Sequence, residues 1–304
     1  MPDRPLRHVV LAGGSGLLGR GLSARLRADG VRVTTLVRRP PVGTDEISWL
    51  QEGARLDPAV LDGVDAVVAL NGASIGRLPW TRRYRHELLW SRVTPTRVLA
   101  EAIRARGADA PHFVSASAVG YYGAVPSGPV TEGSPRGEGF LADVCGEWEA
   151  AAAGAGAQTP ITTLRTAPVI HEDGVLKPLI LLTRAGLSGP LGRGVQEWPW
   201  ISYPDAVGAI THILHRRLTG PVNLTGPARA TANDIGFALA QELNRPYLLR
   251  APAWALRLAL GRDAASALLL TDAHVEPDAL RASGFIWTHP TAEHAVHAAV
   301  ADNA

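Results

Sequence analysis

Three glycines spaced Gly13-x-x-Gly16-x-x-Gly19 carry the sharpest chemical meaning in this chain. They follow a β-branched run, His8–Val9–Val10–Leu11–Ala12, and lead into apolar positions at helical spacing, Leu18, Leu22 and Leu26. That order predicts a strand, a tight turn and a helix N-terminus. Each glycine answers a separate demand: one permits the turn, one lets the backbone approach a pyrophosphate, one lets the helix pack on the strand. Free N–H groups and the positive end of the helix dipole then hold the anion. Gly13, Gly14, Ser15, Gly16, Leu17, Leu18 and Gly19 are therefore the candidate phosphate-binding residues of a dinucleotide site. A triphosphate-binding loop is excluded, because Arg20–Gly21 stands where Lys followed by Ser or Thr is needed.

The next strand, Val31–Val37, ends in Arg38–Arg39–Pro40, and no acid occurs between Asp29 and Asp45. An NAD site places Asp or Glu here for the ribose 2′-hydroxyl, whereas an NADP site places Arg against the 2′-phosphate. Arg38 and Arg39 thus favour NADP over NAD. One charge-assisted contact of about 1.5–3 kcal/mol corresponds to roughly tenfold to a hundredfold preference.

Those residues need a frame. Asp65–Leu70, Pro111–Ser117 and Ile161–Arg165 read as further strands, with helical patterns at 57–61, 80–107 and 139–155 between and after them. Pro95 should kink or restart the second of these helices. Strands alternating with helices indicate a parallel, doubly wound sheet with its ligand beyond the carboxyl ends of the strands. Those ends are the Gly13 turn, Arg38, Asn71–Gly72–Ala73–Ser74, the segment from Ser115 to Tyr122, and Arg165 with Val169. From about Val175 the rhythm changes. Glycines and prolines punctuate 185–199, Pro221–Leu224 reads as a strand, and helical patterns cover 231–244, 254–260, 278–283 and 291–301. The expected division is a nucleotide-binding domain over 1–174, with part of 200–225 completing its sheet, and a smaller substrate-side α/β lobe over 175–304.

Composition narrows the function classes. The chain has 304 residues, 46% of them hydrophobic, and a formal charge of only +2 with scattered arginines. A packed core is assured and nucleic acid is not an expected partner. One cysteine, Cys145, excludes an internal disulfide framework and suits a reducing compartment. No leader and no run long enough to cross a bilayer is read, so a cytoplasmic protein acting on a small molecule, without a membrane role, is expected. A homodimer is open. His212 and His215 lack accompanying Cys or carboxylates, so no metal site is expected.

Taken together, these segments resemble the extended short-chain dehydrogenases/reductases, in the nucleotide-sugar epimerase/dehydratase group. Within it the chain is similar to an atypical branch, the epimerase family proteins with a small C-terminal domain of unknown function. Ser115–Ala116–Ser117–Ala118–Val119–Gly120–Tyr121–Tyr122–Gly123, Phe140–Leu141–Ala142 with Cys145 and Trp148–Glu149, Trp200–Ile201 with Asp205, Arg245–Pro246, Pro252 and Gly284–Phe285 carry that likeness. It implies a Rossmann fold, with Asn71, Gly72, Ala73, Ser115, Arg165 and Val169 completing the cofactor site.

The wider family's proton transfer uses a Tyr-x-x-x-Lys pair, in which the lysine lowers the tyrosine pKa. Here that register falls on Leu141-x-x-x-Cys145, and the sole lysine, Lys177, lies elsewhere beside Asp173. Ser117, Tyr121 and Tyr122 are the catalytic candidates that remain; Cys145 could serve only if a cation lowered its pKa. Arg77, Trp80, Glu132, Gln196 and Trp200 are the substrate candidates, with Arg92 and Trp198 nearby and Asp205 read as structural. Three functions follow: an NADP-binding oxidoreductase or epimerase acting on a small polar, sugar- or nucleotide-like substrate; a silent NADPH-binding sensor; or a non-redox isomerase or cyclase on the same fold.

Overall fold

The computed structural model describes residues 5–51 and 55–301, with backbone alone at 126–127. Its first half runs β1 (His8–Ala12), α1 (Leu17–Ala28), β2 (Arg32–Val37), β3 (Glu46–Ser48), β4 (Ala66–Ala69), α2 (Arg82–Arg104), β5 (His112–Ala118), β6 (Val125–Val130) and α3 (Phe140–Ala153). Next come β7 (Ile161–Thr166), β8 (Val169–Ile170), α4 (Leu176–Arg184), β9 (Ile201–Ser202), α5 (Tyr203–Arg216) and β10 (Gly220–Leu224). The chain finishes with α6 (Ala232–Glu242), α7 (Ala253–Leu260), α8 (Arg262–Leu268), β11 (Ala273–Val275), α9 (Asp278–Ala282) and α10 (Ala292–Ala301).

Seven strands make one sheet in the order β10-β7-β5-β4-β1-β2-β3, every neighbouring pair parallel. This is the doubly wound α/β fold, and strand order reverses between β1 and β4. Period-two alternation explains how both faces are covered. Val9 and Leu11 of β1 pack with Leu22 and Leu26 of α1, while Val10 and Ala12 pack with Leu99 and Ile103 of α2. All four β1 residues are fully buried, as expected for a central parallel strand. The crevice between the carboxyl ends of β1 and β4 is where such sheets bind ligands.

Two local expectations change. Glu46–Ser48 is an edge strand paired with Thr35–Val37, where the sequence shows only a Pro/Gly loop; three residues are too few to display an alternation of their own. Pro95 does not restart α2, which is assigned as one helix from Arg82 to Arg104. Pro95 is buried, and beside it Thr96 accepts a 3.0 Å hydrogen bond from Trp148 of α3. Tertiary packing thus carries the helix past one missing main-chain bond.

Beyond Val175, α4, α6 and α10 enclose a second core around Leu176, Trp198, Trp200, Ile235, Leu239 and Val296. Strand β10 belongs to the large sheet, beside β7. Helix α8 returns to the first half of the chain: Ala264 packs with Trp80, Tyr84 and Leu88, next to Phe140 and Leu141, and Asp263 pairs with Arg85. Among the described residues, no helix is long and apolar enough to cross a membrane.

Candidate functional site

The turn from β1 into α1 is built from contacts only glycine tolerates. Gly13 has φ +86°, and a Cβ there would stand 2.7 Å from the Leu70 carbonyl carbon at the end of β4. A Cβ on Gly19 would sit 2.2 Å from the Gly13 oxygen, and one on Gly14 would sit 2.8 Å from Thr35 Cγ2. Gly16 is the N-cap; its N–H donates to Gly13 O at 3.0 Å. No side chain caps α1 and no acid lies in its first turn. The first-turn amides therefore meet no competing protein anion, the condition for binding a phosphate there. Ser15 is exposed at the tip of the turn, and Leu17 and Leu18 are half-buried below it.

Asn71, Gly72 and Ala73 continue from β4 along the opposite lip. Asn71 Oδ1 is buried without a hydrogen-bond partner, an acceptor whose desolvation is uncompensated until a donor reaches it. That orphan and the glycine cradle together fit a dinucleotide, whose hydroxyls donate and whose pyrophosphate needs N–H groups.

The two arginines after β2 separate. Arg39 forms a two-pronged ion pair with Glu46 of β3, at 2.6 and 2.7 Å, and the Glu46 carboxyl is held down at about 2 by that guanidinium and by the Val42 N–H. Arg39 is thereby engaged within the protein. Arg38 is exposed and has no hydrogen bond or ion pair among the described residues.

Beyond β5 and β7 the candidates meet in one buried network. Ser117 Oγ donates to Glu149 Oε1 at 2.7 Å, and Glu149 receives Arg165 through both Nε and Nη2 at 2.9 Å. Arg165 Nη1 donates to Tyr122 Oη at 2.9 Å, and that hydroxyl donates to Asn223 Oδ1 at 2.7 Å. Burial pushes the Tyr122 phenol up, against the pull of Arg165. Arg165 is only 4% exposed and Ser115 is fully buried. Arg165 is held by Glu149, Tyr122 and the Glu132 carbonyl, and Ser115 Oγ donates to the Ala116 carbonyl, so the side chains of both expected cofactor residues are engaged within the protein. Ser117 and Tyr122 likewise spend their hydroxyl protons on internal acceptors.

Tyr121 differs. The Arg165 guanidinium lies 3.6 Å from its ring centroid, and its hydroxyl has no hydrogen-bond partner among the described residues. Leu141 packs beside Trp80, Phe140 and α8 in an apolar cluster. Cys145 is buried, and burial pushes its thiol up to about 11, so it stays protonated.

Four of the five substrate candidates are turned inward or tied down. Trp80 is buried and donates to Ile75 O. Glu132 accepts from the backbone N–H groups of Asn223 and Ala279, stapling β10 to α9. Gln196 donates to the carbonyls of Leu191 and Leu269, and Trp200 to that of Ala228. Their polar atoms hold the second core together. Arg77 is exposed and rests on the Tyr84 ring at 5.1 Å. Val169 is half-buried in the short pair β8–β9. Asp205 accepts from Ser202 Oγ and from the N–H groups of Thr288 and His289, a structural role as expected. Among the described residues no group of His, Cys, Asp and Glu could hold a metal.

The sequence alone did not single out Asn223. Its one signal is a polar residue in the otherwise apolar run Pro221–Val222–Asn223–Leu224. Glu149 entered the sequence reading within the Trp148–Glu149 segment of the family likeness, not as a site residue.

Comparison with known proteins agrees with this geometry. The NAD dependent epimerase/dehydratase family model matches residues 9–224, and a domain of unknown function, DUF1731, matches 251–299. An epimerase family protein of Mycobacterium leprae is 40% identical over 93% of this chain and 92% of its own length. The crystal structure of human epimerase family protein SDR39U1 (isoform 2) with NADPH superposes with TM-score 0.86 at 29% identity, covering 98% of this chain and all of that one. A nucleoside-diphosphate sugar epimerase from Corynebacterium glutamicum superposes at TM-score 0.76 with 26% identity, over 97% of this chain and 58% of the other. With a glycine turn fit for a dinucleotide, a family model spanning most of the chain and a DUF1731 domain behind it, this chain belongs to the NAD dependent epimerase/dehydratase family.

Proposed function

We propose that the chain is an NADP(H)-dependent oxidoreductase or epimerase acting on a small polar substrate, with Tyr121 in place of the missing Tyr/Lys pair. The observation that carries the cofactor half is the Gly13–Gly19 cradle closing on Leu70, with the orphaned Asn71 acceptor beside it. The human relative solved with NADPH supports the choice of dinucleotide. Arg38, unpaired and exposed at the end of β2, would hold the 2′-phosphate, while Arg39 is engaged by Glu46.

When bound, the nicotinamide donates or accepts a hydride. The chain's own part is to bind, orient and move a proton. Tyr121 Oη, free of internal partners, would donate to or accept from a substrate oxygen. Arg165, fixed by Glu149, holds the Tyr121 ring in place through its face. Ser117 offers only lone pairs, because its proton is committed to Glu149.

Calorimetry with NADPH and NADH on the wild type and Arg38→Ala tests the cofactor reading. NADPH should bind the wild type roughly tenfold to a hundredfold more tightly than NADH, and Arg38→Ala should remove that preference. Arg39→Ala should leave the ratio within about twofold. Equal binding of the two cofactors by the wild type would overturn it.

A second reading, a sensor that binds NADPH without turnover, is favoured by the apolar surroundings of Leu141 and the protonated, buried Cys145. A panel of carbonyl substrates separates the two: turnover that Tyr121→Phe abolishes supports the enzyme, and tight NADPH binding without oxidation supports the sensor.

A further inference from the structure

Arg92 of α2 is a half-buried cation without a counter-charge. Its Nη1 donates to Leu88 O at 2.8 Å and its Nη2 to Ala73 O at 3.0 Å, while the guanidinium carbon lies 5.2 Å from the Trp148 ring centroid. Both hydrogen-bond partners are neutral carbonyls. Among the described residues no carboxylate pairs with it. The ionisable groups its charge couples to are the Cys145 thiol, raised to about 11, and the Tyr84 phenol, also raised; both are neutral at pH 7.

The contrast with Arg165 is instructive. That guanidinium, more deeply buried than Arg92, is neutralised by both oxygens of Glu149. A buried charge left without a partner is costly, and folds retain one chiefly where something else supplies the opposite charge. Burial lowers the Arg92 pKa, but a guanidinium keeps its proton at neutral pH.

Location says where that charge must come from. Arg92 lies against the Asn71–Ala73 lip at the carboxyl end of β4. A Cβ at Gly72 would stand 3.0 Å from the guanidinium carbon, so glycine is what lets the lip lie on it. Arg77, on the same loop, is exposed and likewise has no acid partner among the described residues. Two unpaired arginines therefore flank one segment of the crevice rim. Arg92 has five N–H donors, and two are used. The remaining planar donors suit a carboxylate.

We infer that Arg92 binds the carboxylate of an acidic substrate at the β4 lip of the crevice. The inference rests on the reading of the crevice as an NADP(H) site and adds the class of substrate: a small carbonyl or hydroxy compound that carries a carboxylate. Arg77, on the rim, draws the anion in, and Arg92 holds it.

The test titrates NADPH-loaded protein with malonate and glucuronate, and with glucose as the uncharged control, by calorimetry. The wild type should bind both carboxylates saturably and glucose not at all. Arg92→Gln should weaken carboxylate binding at least tenfold while leaving the NADPH Kd within twofold, and Arg92→Lys should recover part of the loss. Thermal melts establish that each variant is folded; should Arg92→Gln fail to fold, Arg92→Lys and Arg77→Gln carry the comparison, each expected to weaken the carboxylates alone. Carboxylate binding that is absent from the wild type, or undiminished in the variants, overturns the assignment. So does a loss confined to NADPH. If the wild type binds no NADPH, the cofactor reading fails by itself, and the same titrations on the free protein still decide the role of Arg92.

Discussion

The Arg165–Glu149 pair lends itself to a quantitative test, because its partners are nearly sealed from water: the side chains are 5% and 16% exposed. Glu149→Gln keeps the shape of the side chain and removes its charge. One of the two oxygens that receive Arg165 becomes an NH2 group, and a cation is left beside Tyr121 and Tyr122 with no anion to balance it. Breaking one partner of a buried pair costs about 3–5 kcal/mol. At roughly 2–4 °C per kcal/mol for a chain of this size, the melting temperature should fall on the order of 10 °C. Urea unfolding followed by tryptophan fluorescence gives the free energy directly, with the slope m unchanged. The double variant Glu149→Leu/Arg165→Met should recover most of the loss, because removing both charges abolishes the uncompensated one. It should stop short of the wild type by the bonds Arg165 makes to Tyr122 and Glu132 O, about 1 kcal/mol each. NADPH affinity should stay within about twofold in the folded Glu149→Gln variant, since neither partner hydrogen-bonds to the glycine turn, Asn71 or Arg38. A Glu149→Gln loss below about 1 kcal/mol, or strict additivity in the cycle, would refute the view that this pair is the electrostatic centre of the site.

Three further outcomes follow from the geometry. Gly13→Ala forces a side chain into φ +86° and against Leu70; it should cost about 1–3 kcal/mol by thermal melt and weaken NADPH at least tenfold by calorimetry. Tyr122→Phe removes bonds to Asn223 and Arg165 and should cost about 1–3 kcal/mol, whereas Tyr121→Phe should leave stability unchanged and abolish turnover. His112 is buried, and desolvation lowers its pKa to about 4, below the unfolded value of 6.5. The unfolded chain therefore takes up the proton first: this contribution is intact above pH 6.5 and is lost as pH falls from 6.5 toward 4, to a total of roughly 3 kcal/mol. Melts across pH 7 to 4 should show that slope, and His112→Gln should flatten it.

Much of the frame is written locally. Gly13, Gly16 and Gly19 announce the turn because each satisfies a constraint set by residues within a few positions or by the adjoining strand. The strands at 8–12 and 66–69 announce themselves because burial on both faces demands continuous apolar runs, and those at 32–37, 112–118 and 161–166 through β-branched and apolar residues between turn signals. Where the length is too short for a pattern, as at Glu46–Ser48, the signal vanishes; where long-range packing overrides a local preference, as at Pro95, it misleads.

The sequence by itself determined that a glycine turn opens a doubly wound sheet and that an arginine pair ends the second strand. Only the tertiary structure decided which polar groups are free to act. Glu46 engages Arg39 and leaves Arg38; Glu149 binds Ser117 and Arg165; Asn223 accepts the Tyr122 hydrogen bond and leaves Tyr121; among the described residues no acid pairs with Arg92. The physical reason is that backbone geometry is set by neighbours in the chain, whereas the state of a buried charge or hydroxyl is set by partners that arrive from as far as 101 residues away at Tyr122 and 147 at Glu132.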